Sequence, residues 1–216
     1  MMKQIRKYCG VILDRKGFTL IEMAIVLIII GIIIGAIIKG KDVVKSAEQK
    51  KLYTQFLREW QVAFNSYYDR SGLILADQTN ATNDGGGIRN GQCDDTITEA
   101  NLNAQLTNVG LNPPAAGPTG LTTVRTYTDS TGVLRTLTLQ FDYKTDLGNI
   151  IRITAMPSDL GIAWDRIVDG QADGTLGDIL FSENHGPAAQ AGQLQAWPPP
   201  TTAPDGNDAL ILRLQF

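Results

Sequence analysis

Residues 14–38 read DRKGFTLIEMAIVLIIIGIIIGAII, and this stretch decides the fold. From Phe18 to Ile38 the chain is almost wholly aliphatic, which is the length a helix needs to cross the hydrocarbon core of a bilayer. A secretory signal has a shorter apolar run followed by small residues at a cleavage site. Here the order is reversed. The break in pattern, Lys16-Gly17-Phe18, precedes the apolar run. Before it lie Lys3, Arg6, Lys7, Arg15 and Lys16 against Asp14, a leader of charge +4. The formal total is -3, so the remaining residues carry -7. A basic flank stays on the cytoplasmic side of a membrane, which sends the rest of the chain to the other side. An acidic body with no basic face argues against nucleic-acid binding.

One residue interrupts the apolar run. Glu22 is costly in lipid if ionised and alone, so it either sits near the membrane face or waits for a cationic partner. Gly31 and Gly35 make a small-xxx-small pair that lets helices approach closely.

Working outward, the helical pattern continues past the membrane segment. Lys39, Lys41 and Lys45 mark the exit. Leu52, Tyr53, Phe56, Leu57, Trp60, Ala63, Phe64, Tyr67 and Tyr68 then recur at spacings of three and four. That stripe predicts core packing against a sheet, and Ser71-Gly72 predicts the stop. Residues 77–95 read as a surface loop by composition. A short helix is expected over Thr98–Asn108, ended by Pro113, Pro114 and Pro118. Alternation predicts strands over Leu121–Thr128 and Val133–Tyr143, joined by the turn Asp129-Ser130-Thr131-Gly132. A third strand is expected over Asn149–Ala155, a helix capped by Ser158 through Val168, and strands at Asp178–Phe181 and Ala209–Phe216. The fold class is α+β: one long N-terminal helix against an antiparallel sheet. The segments are a leader at 1–17, a membrane or filament-core helix at 18–38, an amphipathic helix at 39–72 and a globular head at 73–216.

The residues Gly17, Phe18, Thr19, Leu20, Ile21 and Glu22, followed by the aliphatic run, resemble the prepilin signature shared by type IV pilins and type II secretion pseudopilins. The resemblance covers residues 14–45 and implies a pilin-like fold. It implies cleavage after Gly17 by a prepilin peptidase and N-methylation of Phe18, the new N-terminus. It also implies a filament in which Glu22 of one subunit neutralises the Phe18 amine of a neighbour. Two charges that are each costly in an apolar core become tolerable as a pair, which sets register more than it adds stability. Implied partners are other pilin subunits, an inner-membrane assembly platform and, before assembly, membrane lipid. The implied location is the bacterial inner membrane with the head in the periplasm, then a filament.

The pattern has departures from the family. The first proline is Pro113, so any unwinding of the core helix would use Gly31 and Gly35. Once the leader and Cys9 are removed, Cys93 is the single cysteine, which excludes an intramolecular disulfide. The single cysteine tells against the classical adhesive major-pilin role, and the large head and long loops lean toward a minor or specialised pilin. A secretion pseudopilin is the alternative, and a membrane-tethered periplasmic binding module is the alternative from another class.

No enzyme is expected, because no nucleophile, zinc or phosphate-binding motif appears. No cofactor is expected either, with one alternative. Asp165, Asp169, Asp173 and Asp178 supply oxygen ligands of the kind calcium takes, and Asp169, Asp173 and Asp178 are the candidates. Their spacing is not that of an EF-hand, and Asp-Gly pairs equally form turns. His185, the one histidine, and the Asn80-Ala81-Thr82 sequon read as surface loop residues. Trp197 with Pro198-Pro199-Pro200 reads as a stiff surface connector.

Overall fold

The computed structural model describes residues 17–78, 89–94, 97–182, 194–200 and 208–214. The chain divides into two compact units, one ending at Val44 and one beginning at Lys45. Helix α1, Leu20–Leu52, runs from the first unit into the second. In the first unit its apolar stretch has a mean hydropathy of 3.0 and buries nothing within the chain.

The second unit is the head. After α1 the helix widens over Tyr53–Leu57 into a π turn and continues as α2, Arg58–Ser71. Sequence periodicity predicts an uninterrupted helix, so the wide turn is a finding of the structure. It adds a residue to one turn and re-aims the side chains on either side. Two carbonyls just before it accept side-chain bonds: Trp164 Nε1 donates to Gln49 O (3.0 Å), and Thr54 Oγ1 to Lys50 O (3.0 Å). Gly72 ends α2 in the left-handed conformation at φ 68°, its N–H donating to Tyr68 O.

Helix α3, Glu99–Asn108, is capped by Thr98, whose hydroxyl accepts from Asn101 N. Five antiparallel strands follow: β1 Val124–Thr128, β2 Leu134–Lys144, β3 Gly148–Thr154, β4 Ile179–Ser182 and β5 Ala209–Arg213. Their order is β1-β2-β3-β5-β4, with helix α4, Ser158–Val168, between β3 and β4. The architecture is the pilin-like α+β arrangement, with the head portion of the helix lying on one sheet face. Trp60 and Phe64 both meet Phe141 of β2, at centroid distances of 5.7 and 5.8 Å. Leu137, Leu139, Ile151, Ile153, Leu210 and Leu212 complete that core. A smaller cluster of Ile150, Leu180 and Ile211 packs separately.

Three expectations need correction. The first strand begins at Val124 rather than Leu121, because Glu99 claims the residues before it. Its carboxylate accepts from Thr122 N (2.7 Å) and Thr123 Oγ1 (2.8 Å). Pro157, not Ser158, occupies the cap position of α4, and Ser158 is buried in the first turn. Residues 77–95 are not all surface loop. Asp77, Cys93 and Asp94 are buried, held by Asp94 N donating to Ala76 O and by Asp77 accepting from Gly91 N. Residues 79–88, which hold the sequon, lie outside the described residues, as does His185.

Truncating Phe64 to alanine removes a fully buried ring from the aromatic seam. It should lower head stability by about 3–5 kcal/mol in a denaturant melt followed by tryptophan fluorescence. Gly72→Ala has open space around it but the wrong backbone preference, and should cost about 1 kcal/mol.

Candidate assembly site and the helix anchor

The first site is the start of the apolar helix. Gly17, Phe18 and Thr19 are non-helical, and α1 begins at Leu20. Thr19 and Glu22 form a reciprocal cap. Glu22 Oε2 accepts from Thr19 N (2.7 Å) and Thr19 Oγ1 (2.8 Å), and Thr19 Oγ1 accepts from Glu22 N (3.3 Å). In the single chain the carboxylate is therefore held at the helix N-terminus, where backbone N–H groups favour negative charge. Among the described residues no cation pairs with it there, and Phe18 stands 80% exposed. Phe18 and Glu22 lie four residues apart, and both are exposed. Gly31 and Gly35 are equally open: a Cβ at either would meet nothing within 4 Å. Both remain available to a neighbouring helix.

The second site is one that sequence patterns miss. Just inside the head, Asp159 in the first turn of α4 gathers three side chains. Its Oδ2 pairs with Lys45 Nζ (2.7 Å) and accepts from Tyr127 Oη (2.8 Å). Gln49 Nε2 donates to Tyr127 Oη (3.0 Å) and to Asp159 O (3.2 Å). Trp164 of the same helix binds Gln49 O and meets Tyr53 edge-on at 6.0 Å. Burial and the carboxylate beside it push the Tyr127 hydroxyl well above its ordinary range, so it stays a neutral donor. This cluster ties the entering helix to the sheet and to α4.

The acidic segment after α4 is built as turns. Asp169 accepts from Asp178 N (3.0 Å) and Ile179 N (2.8 Å), and Asp173 from Thr175 N (2.9 Å) and Leu176 N (2.8 Å). Asp165 Oδ2 accepts from Gly174 N (3.1 Å) and Trp197 Nε1 (2.7 Å). Among the described residues no three His, Cys, Asp or Glu side chains gather to hold a metal ion. The turn-forming role accounts for the Asp169 and Asp173 bonds.

Trp197 is not the surface connector that its Pro-rich context suggests. Its ring packs against Phe181 at a centroid distance of 4.8 Å, tilted by 35°, and lies so close over Gly161 that a Cβ there would overlap it. Cys93 is buried and free, its Sγ donating to Leu75 O (3.4 Å), and burial raises its thiol well above the usual range. Such a thiol is unreactive.

A family model described as the prokaryotic N-terminal methylation motif matches residues 13–38. The chain carries a prepilin-type signal. Comparison with curated proteins and with solved structures returned no match. The prepilin-type motif implies processing by a prepilin peptidase and assembly with other pilins, and it supports a pilin- or pseudopilin-like precursor. With an apolar helix long enough to cross a bilayer, it is consistent with anchoring in the inner membrane.

Removing the Asp159 carboxylate with Asp159→Ala strands Lys45 and Tyr127 and should cost about 1–3 kcal/mol of head stability. Tyr127→Phe, which leaves the ion pair, should cost less in the same denaturant melt. A separate prediction concerns acid. Asp129 is held below the usual carboxylate range by bonds from Thr131, Arg135 and Val133, against an opposing burial effect. A depressed folded value gives stability that is complete above the ordinary aspartate range and is lost as pH falls through it. Asp129→Asn should therefore destabilise the head at pH 7 and progressively less toward pH 2, read from melting temperature against pH.

Proposed function

We propose that this protein is a structural, non-catalytic subunit of a type IV pilus-like filament, of the minor or specialised kind. It is cut between Gly17 and Phe18, methylated on the Phe18 amine and assembled through its N-terminal helix. The observation that carries this reading is the prepilin-type motif at 13–38 on a helix whose apolar surface is left unburied among the described residues. In the filament, Glu22 leaves its bonds to Thr19 and takes the Phe18 ammonium of a neighbour. The exchange replaces a self-capped carboxylate with a pair that removes two charges from an apolar core. Gly31 and Gly35 supply close approach between helices.

The head's chemistry supports a structural role. A groove of about 620 Å³ lies beside the helix, lined in part by Glu48, Lys51, Glu59 and Arg125. Its buried cation, Arg125, is committed to the carbonyls of Leu121, Thr122, Val124 and Ala115. The large head with its long loops supports a minor or specialised pilin, and the single mature cysteine, which cannot close a disulfide-bonded loop, tells against the major-pilin role.

The experiment is to express Glu22→Ala and Glu22→Gln beside the parent and assay membrane and sheared-filament fractions. Both variants should insert and be processed, yet fall at least about tenfold in the sheared fraction, the order expected when a buried charge loses its partner. Wild-type amounts of either variant in sheared filaments would contradict the pairing role, whereas a parent chain confined to the membrane fraction would favour a tethered module that never leaves the membrane.

A further inference from the structure

We infer that the head modifies itself at Asn90-Gly91: the Gly91 nitrogen, with the buried Asp77 carboxylate as base, attacks the Asn90 side chain, whose amide is lost as ammonia. The only other reactant is solvent water. The site is made of head residues alone and stands apart from the assembly reading.

The nucleophile is arranged first. Asn90-Gly91 is the single Asn-Gly pair in the sequence. Gly91, at φ 81°, places no side chain beside the reacting nitrogen. Its peptide unit is pinned at both ends. The N–H donates to Asp77 Oδ2 (2.9 Å), and the carbonyl accepts from Asn149 Nδ2 (3.1 Å). Asp77 is 2% exposed, and its Oδ1 has no hydrogen-bond partner among the described residues. One oxygen thus touches the proton to be removed, and the other has its lone pairs free. This is the placement required of a general base.

The electrophile is arranged as well. Asn90 Oδ1, which gathers negative charge as the ring closes, accepts from Gln92 N (2.9 Å). A backbone N–H aimed at a developing oxyanion lowers the barrier to forming it. Asn90 Nδ2 donates to Gln92 Oε1 (3.4 Å), so both ends of the side-chain amide are oriented. Asn90 itself is exposed, which lets ammonia leave and water enter.

The steps balance. The Gly91 N–H proton passes to Asp77 as the bond from Gly91 N to Asn90 Cγ forms. The Cγ–Nδ2 bond then breaks, Asp77 returns the proton to Nδ2, and ammonia departs from a cyclic imide. Water opens the imide: addition at Cγ gives aspartate, and addition at the main-chain carbonyl gives isoaspartate. Either product sets a second negative charge near Asp77, and like charges repel. The isoaspartyl form also lengthens the main chain by a methylene. Both changes loosen the bonds by which Gly91 N and Asp94 N hold Asp77 and Ala76.

The test holds the full chain in detergent at neutral pH in heavy-oxygen water, either folded or unfolded by urea, and follows the Asn90 peptide by mass spectrometry. The folded chain should convert Asn90 to labelled aspartate and isoaspartate at least about tenfold faster than the unfolded chain, since a positioned base contributes about a hundredfold or more. Asp77→Asn, with a native near-ultraviolet dichroism spectrum, should bring the folded rate down to the unfolded one. A folded rate equal to or below the unfolded rate overturns the inference, because the turn then protects Asn90. A folded Asp77→Asn chain that converts as fast as the parent overturns it too. Should that variant unfold, the parent's folded-to-unfolded ratio alone decides.

Discussion

The aromatic seam that begins at Tyr53 can bury itself only if the helix bearing it is held at a fixed depth and rotation on the sheet. The Asp159 carboxylate does much of this, because it binds Lys45 and Tyr127 together while Gln49 bridges Tyr127 and the α4 backbone. The π turn at Tyr53–Leu57 belongs to the same fixation. It lets Trp164 reach the Gln49 carbonyl and stand edge-on to Tyr53. Loosening this cluster would free the helix to rotate, and Trp60 and Phe64 would lose their register on Phe141.

Before Lys45 the helix obeys a different rule. Over residues 20–38 its side chains are almost all aliphatic and exposed, as a lipid-facing segment requires, and the one carboxylate of that stretch, Glu22, is satisfied locally by Thr19. Such a helix can exchange lipid for other helices at little cost in apolar burial, because lipid tails are as apolar as isoleucine. On the proposed function, what decides between the two environments is polar: where Glu22 and the amine that cleavage would create on Phe18 find partners. This links the motif at the N-terminus to assembly without asking the head to do chemistry.

Much of this was legible from local pattern. The Gly17-Phe18 junction, the apolar run, the aromatic stripe, the Gly72 stop, the short helix after Thr98 and the β1–β2 hairpin all declare themselves within a few residues. The anchor was not legible, because Gln49 finds its partners 78 and 110 residues away. Glu99 shortened the first strand for the same reason: its bonds to Thr122 and Thr123 carry no periodic signature. Trp197 looked like a loop residue because three prolines follow it, yet the space left by Gly161 and the acceptor on Asp165 draw it in. The π turn was invisible because the apolar spacing around it still reads as helix. At the candidate assembly site, residue identities were readable, whereas the mutual cap of Thr19 and Glu22 required coordinates.

The most direct measurement is mass spectrometry of the N-terminal peptide from the membrane and sheared-surface fractions of cells with an active prepilin peptidase. The account predicts a peptide beginning at N-methylated Phe18 in both fractions. A chain that still begins at Met1 or Met2 would contradict it.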